Sequence, residues 1–154
     1  MVRKHIRGLC LICYSKKLSG ESKVKVTFNL APVVASRPRV TRWSTFFPKK
    51  YTAFKVAMTK LTENIIFTPT KQLIYVQVTF YVAMPKSWSK KKKLEKKGKP
   101  CDNNCDIDNY IKAILDSLEG VYYENDKQIA MIKAMKYYSA TPRIEYQQTE
   151  IVNE

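Results

Sequence analysis

The chain has 154 residues, 28 of them Lys or Arg against 13 Asp or Glu and a single His, for a formal net charge of +15, and 45% of its residues are hydrophobic. Such a chain can bury roughly 70% of the surface it would expose unfolded, so it needs neither a disulfide scaffold nor a metal clip to fold. No apolar run approaches the ~20 residues of a membrane-spanning helix. The run Leu9–Tyr14 also lacks a small-residue cleavage site, so secretion is not expected. So large a positive excess repels itself in a compact fold and points to a polyanionic partner, nucleic acid first and an anionic membrane surface second.

The charge is unevenly placed. Residues 1–25 hold seven basic groups and one acid, 37–60 seven and none, and 86–99 eight Lys and one Glu. From Pro100 to Glu154 the sign reverses, with ten acids against five bases. An acidic island would repel a phosphate ligand, unless a hard cation mediates between carboxylates and phosphate.

In chain order, residues 1–22 form a basic extension without clear periodicity, and a second segment, 23–154, forms the folded domain, with 85–105 as a basic loop. Val24, Val26, Phe28 and Leu30 alternate as in a half-buried strand. Ala31–Lys50, holding Pro32, Pro38 and Pro48, reads as a loop with a short strand at 44–47. Tyr51, Phe54, Met58, Leu61 and Ile65 recur at helical spacing until Thr68-Pro69. Residues 72–83 form a central strand, with Ile74, Val76, Val78, Phe80 and Val82 on one face and Leu73, Tyr75 and Tyr81 on the other. A helix follows over 107–119 with a stripe of Ile107, Ile111, Ile114, Leu115 and Leu118, ended by Gly120 in the left-handed C′ position. Strands at 128–138 and 143–149 close the chain. The order β-α-β-α-β-β predicts an α+β domain with a mixed sheet and two main helices.

The chemistry concentrates in Asp106-Ile-Asp108-Asn109 through Lys112 and Asp116, then Glu124-Asn125-Asp126. At about 100° per residue Asp108, Lys112 and Asp116 share one polar edge of the helix. Asp106 falls at the helix start, where free N–H groups favour a carboxylate, and Asp126 at the entrance to the next strand. Three aspartates without His or Cys are the oxygen donors that Mg²⁺ or Mn²⁺ prefers over Zn²⁺. The alternative is structural: Asp106 caps the helix, Asp108–Lys112 is a surface pair, and Asp126 belongs to a turn.

The spaced run Asp106-x-Asp108-Asn109-x-x-Lys112-x-x-x-Asp116-x-Leu118-x-Gly120, then Asn125-Asp126-x-Gln128, closely resembles the signature of the RusA family of Holliday-junction resolvases, especially its phage members. Arg37-Pro38-Arg39-Val40 and Phe47-Pro48-Lys49-Lys50-Tyr51 look like that family's N-terminal basic segment. Pro85-Lys86-Ser87-Trp88-Ser89-Lys90-Lys91-Lys92 looks like the loop before its catalytic helix, and Lys136 stands where the family has a late-strand lysine. The likeness covers about 24–149. It implies a homodimeric, Mg²⁺-dependent endodeoxyribonuclease acting on four-way junctions in DNA recombination and repair, in a bacterial or phage-infected cytoplasm. Asp106, Asp108 and Asp126 are its implied metal ligands, Lys112 its catalytic lysine, and Asp116 and Asn109 supporting residues. Cys105 departs from the family's usual proline, and Asn125 from the first of two adjacent acids.

Arg37, Arg39, Arg42, Lys49, Lys50, Lys86, Lys90, Lys91, Lys92 and Lys136 are the candidate phosphate contacts. Trp88 is the candidate to stack on a base. The competing reading is a non-catalytic basic nucleic-acid binder held by Zn²⁺ on Cys10, Cys13, Cys101 and Cys105. His5, far from the acids, leaves no partner for histidine-based hydrolysis.

Overall fold

The computed structural model describes residues 23–65 and 67–151, together with the backbone of 4–6 and 9–11. The rest of the N-terminal extension lies outside the described residues. The elements in chain order are β1 (Lys4–Ile6), β2 (Leu9–Leu11), β3 (Lys23–Phe28), β4 (Arg39–Val40), β5 (Thr45–Phe46), α1 (Lys49–Thr62), β6 (Ile74–Ala83), α2 (Lys90–Lys96), α3 (Ile107–Leu118), a 3₁₀ turn at Asp126–Gln128, β7 (Ile129–Ser139) and β8 (Arg143–Glu150). They divide into two compact units. One takes the described parts of Met1–Pro32, Lys71–Asn103 and Lys127–Glu154, the other Val33–Thr70 and Asn104–Asp126.

The first unit is built on a mixed four-stranded sheet in the order β3-β8-β6-β7. β8 runs antiparallel to both β3 and β6, whereas β6 and β7 are parallel. A parallel pair cannot be closed by a tight turn, and the 84–128 connection carries α2, α3 and the acidic cluster. Strict alternation buries Val24, Val26 and Phe28 of β3 and Ile144, Tyr146 and Gln148 of β8. On β6, Val76, Val78 and Phe80 pair with Gln148, Tyr146 and Ile144 of β8, and they and Ile74 are also buried, each worth about 1.5–3 kcal/mol when removed from water. The one polar side chain in this set, Gln148, accepts a hydrogen bond from Tyr146 Oη at 2.8 Å. β6 is the interior strand expected from its two apolar faces, and β7 is an edge with Met131 and Ile132 exposed. β1 pairs antiparallel with β2, placing His5 opposite Cys10.

In the second unit α1 buries Tyr51, Phe54, Met58 and Thr62 and packs on α3. α3 buries Tyr110, Ala113, Ile114 and Leu118. The stripe is therefore rotated from the expected one, and Ile107, Ile111 and Leu115 lie at its half-buried margins. A Tyr and a small Ala belong to the buried stripe, which a count of aliphatic residues undervalues. Beyond the helix, Tyr122 and Tyr123 are fully buried, and Phe67 meets Tyr122 edge to face at 5.4 Å.

One loop expectation is met and extended, and another is corrected. Arg39–Val40 joins Thr45–Phe46 in a hairpin, so the 44–47 strand has a partner. The 85–105 segment is not all loop, because Lys90–Lys96 is helical, with the Ser89 side chain accepting from Lys92 N at the N-cap. Unbranched lysines are good helix formers, and a serine cap satisfies one orphan N–H.

The end of α3 sets the path to Asp126. Gly120 has φ +76°, and an added Cβ would meet nothing within 4 Å. A substitution there pays only the left-handed backbone penalty, about 1–2 kcal/mol for an ordinary residue. Gly120→Ala is expected to lower unfolding free energy by that amount in urea titration, and Gly120→Asn by less. Equal stability of all three would show that the left-handed turn does not hold.

Candidate active site and nucleic-acid interface

The acidic cluster belongs to the second unit, on α3 and the turn that follows. Asp106 occupies the N-cap of α3 with extended backbone, φ −69° and ψ 141°, yet its carboxylate makes no capping hydrogen bond. Asp108 lies within the first turn, exposed. Neither carries a hydrogen bond or ion pair with any described residue. The capping role is therefore not realised, and the orphan N–H groups of the first turn leave a region of positive potential beside two unengaged carboxylates. Immediately after Asp108, the Asn109 carbonyl accepts from Ala35 N at 2.8 Å, tying the helix start to the 33–36 segment.

Lys112 does not pair back to Asp108. Its Nζ lies 3.4 Å from Asp116 Oδ2, an i,i+4 pair in the opposite direction. That order, cation before acid, is the weaker of the two on an isolated helix. It wins here because Asp116, in the last turns of α3, is partly buried and also faces Tyr51 Oη at 3.5 Å. A carboxylate near the negative end of a helix needs a cation more than one at the positive end does. Burial, reinforced by the charge of Asp116 and its hydrogen bond, raises the Tyr51 phenol above its ordinary value.

Asp126 opens the 3₁₀ turn and is exposed. It adds to the negative field around Tyr123, whose hydroxyl donates to Leu115 O at 2.7 Å. Burial first, then Glu119, Asp116 and Asp126, raise the Tyr123 phenol well above its usual range. The α3 end and the 126 turn are thus linked through one buried tyrosine, a residue absent from the sequence-based site. Its signal was its position two residues before the Asn125-Asp126 pair, at a site too apolar for a simple turn.

Among the described residues no three His, Cys, Asp or Glu side chains converge as a metal group. The donor set itself fits a hard cation, since the unengaged groups at the helix start and at 126 are all carboxylates. Cys101 is buried and Cys105 partly so, and neither forms a disulfide among the described residues. The side chains of Cys10 and Cys13, needed for the zinc reading, lie outside the described residues.

The basic residues fall into three groups. Arg37, Arg39, Arg42, Lys49 and Lys50 are exposed on the hairpin and the first turn of α1. That turn has no acid and no side-chain cap, so its two cations face the positive helix end at a cost of about 0.3–1 kcal/mol each. Lys86, Lys90, Lys91 and Lys92 are exposed on and before α2, and Lys93 Nζ donates to Lys86 O at 3.3 Å. Lys136 is half-buried, and its ammonium donates to Asn103 Oδ1 at 2.9 Å.

Trp88 packs edge to face on Tyr138 at 5.0 Å, with Lys92 Nζ 4.6 Å from its ring centroid. It is half-buried against its own unit. Tyr138 Oη donates to Asp102 Oδ1 at 2.8 Å. That bond, then a backbone hydrogen bond and the charge of Lys96, holds the Asp102 carboxyl below the ordinary carboxylate value.

The family model described as Endodeoxyribonuclease RusA matches residues 29–147. The chain belongs to this family. The matched span runs from just after β3 to within β8 and takes in α1, α2, α3 and the Asp126 turn, close to the 24–149 expected from the motifs. The uncharacterized protein YqaN of Bacillus subtilis (strain 168) is 32% identical over 143 residues, covering 83% of this chain and 96% of that protein. No helix among the described residues is long and apolar enough to cross a membrane.

Tyr123 offers a test of the acidic field. Because its folded pKa is raised, the unfolded chain releases the tyrosine proton first, and stability falls as pH rises above the ordinary value of 10.0. Tyr123→Phe is expected to lose about 1 kcal/mol at neutral pH for the Leu115 hydrogen bond and to show a shallower alkaline decline than the parent. Parallel declines, measured by urea unfolding across that range, would remove the phenol from this field.

Proposed function

We propose that this RusA-family chain is a Mg²⁺-dependent, structure-selective endodeoxyribonuclease that resolves four-way junctions by paired phosphodiester hydrolysis. Mn²⁺ is the plausible substitute. The observation that carries the reading is the pair Asp106 and Asp108 at the start of α3, exposed and without hydrogen bond or ion pair to any described residue in a chain rich in cations. Leaving carboxylates unpaired beside lysines has no structural benefit, and it suits oxygen donors reserved for a hard cation. Asp106, Asp108 and Asp126 would hold that ion. When bound, it would lower the pKa of a water and neutralise charge on the phosphate.

The chain's own groups supply the rest. Lys112, two-thirds exposed on its side chain and held against Asp116, is one turn from Asp108 and would place a positive charge against the oxygens that gain charge in the transition state. Asp116, fixed by Lys112 and Tyr51, keeps that ammonium on the carboxylate edge of the helix. The exposed cations of the hairpin, α1 and α2 would grip the flanking phosphates, with affinity that falls steeply as salt rises. A junction has two strands to cut, and a two-fold homodimer would present two matching sites to them. The cellular roles that fit are recombination and repair in the cytoplasm.

The test is cleavage of a synthetic four-way junction and of a continuous duplex, with and without Mg²⁺. Paired nicks on the junction only when Mg²⁺ is present are expected. Asp108→Asn should bind the junction like the parent while its nicking rate falls roughly 100-fold or more, several kcal/mol of barrier at 1.36 kcal/mol per tenfold. Mutant and parent cutting at equal rates would sink the site. Binding without metal-dependent cleavage would instead support a non-catalytic nucleic-acid binder.

A further inference from the structure

The β4–β5 hairpin carries a feature that the catalytic reading leaves unused. Its tip, residues 41–44, is closed by three hydrogen bonds: Thr41 N to Ser44 O at 2.8 Å, Thr41 Oγ1 to Ser44 O at 2.9 Å, and Ser44 N to Thr41 Oγ1 at 3.0 Å. Mounted on that turn, Trp43 is 86% exposed, the most exposed of the large apolar side chains among the described residues. Arg42 places its guanidinium 5.2 Å from the indole centroid, so one face has a cation beside it and most of the ring is open to solvent. Within the same unit an open apolar groove of about 730 Å³ is lined by Phe46, Phe47, Ala53, Val56 and Ala57, with Lys60 at its rim.

Two properties select the partner. From Arg37 to Thr62 the sequence holds seven cations and no acid, so whatever covers this surface is anionic. The apolar element at its tip is a flat aromatic ring beside a guanidinium, which fits the planar face of a base flanked by phosphates. A base inside a duplex is covered on both faces by its neighbours, whereas an unpaired base at a branch or in a single strand offers one. Trp88, packed on Tyr138 with Lys92 beside it, is less available for that contact.

We infer that Trp43, presented on the Thr41–Ser44 turn beside Arg42, is a stacking platform for an unpaired DNA base. The inference rests on the reading of DNA as substrate and adds to it a means of preferring branched and single-stranded DNA over continuous duplex.

The experiment measures binding in EDTA, so it does not depend on cleavage. The full chain, Trp43→Ala and Trp43→Phe are titrated with oligothymidylate, a four-way junction and a continuous duplex, following anisotropy and tryptophan emission. Trp43→Ala is expected to weaken binding to oligothymidylate and junction about tenfold, and to duplex by less than about twofold, in line with the value of one base–aromatic stack. Trp43→Phe is expected to keep most of the affinity while losing the tryptophan quenching seen with the full chain. An equal loss on all three ligands, no loss on any, or quenching that survives in Trp43→Phe would overturn the inference. So would a change in sedimentation of Trp43→Ala, which would make the ring a contact between copies of this chain. If Trp43-dependent binding holds but no metal-dependent nicking occurs, the stacking stands and the nuclease reading falls.

Discussion

In a chain with 28 cationic side chains, the difficulty is to keep a carboxylate without a partner. The acidic site depends on that constraint, and within its own unit the Lys112–Asp116 pair meets it by giving Lys112 another partner. In the sheet unit, separately, Lys96 pairs with Asp102 and the ammonium of Lys136 donates to Asn103. Lys112 decides most, because it stands four residues from both Asp108 and Asp116. Helix geometry alone favours acid before lysine. The partial burial of Asp116 and its place near the negative end of α3 reverse the choice, and Asp108 is left unengaged.

Each unit supplies a different part of the function. The four-stranded sheet contributes a well-buried apolar face and, by requiring a long crossover between the parallel β6 and β7, provides the connection on which α2 and α3 are carried. The second unit holds the acidic site and the hairpin. Its cations lie where the local fold gains little from them, at the uncapped start of α1 and, for Arg42, on the exposed 41–44 turn. A placement that costs stability locally is offset only when a polyanion is bound.

The parts of this arrangement set by local periodicity could be read from the sequence. Alternation gave β3, β6 and β8, helical spacing gave α1 and α3, and Gly120 marked the end of α3 through its need for positive φ. Spacing also placed Asp108, Lys112 and Asp116 on one helix edge. Which acid Lys112 would choose was not legible, because the choice turns on Tyr51, 65 positions away along the chain. From sequence, Trp88 is the stacking candidate and Trp43 is passed over. Both are tryptophans in basic stretches, and only the packing of Trp88 against Tyr138 and the exposure of Trp43 separate them. The α2 helix was missed because a run of four lysines resembles a solvated loop until Ser89 is recognised as its cap.

On the proposed reading, Asp106, Asp108 and Asp126 act together as donors for one hard cation. Titration of Mn²⁺ into isotope-labelled protein, with backbone amide signals read residue by residue, tests it without any DNA or cleavage. Selective broadening is expected at residues 106–108 and at 126, reversed by excess Mg²⁺ and abolished at both places by Asp108→Asn. Broadening confined to one of the two places, or spread evenly over all exposed acids and unchanged in the variant, would contradict it.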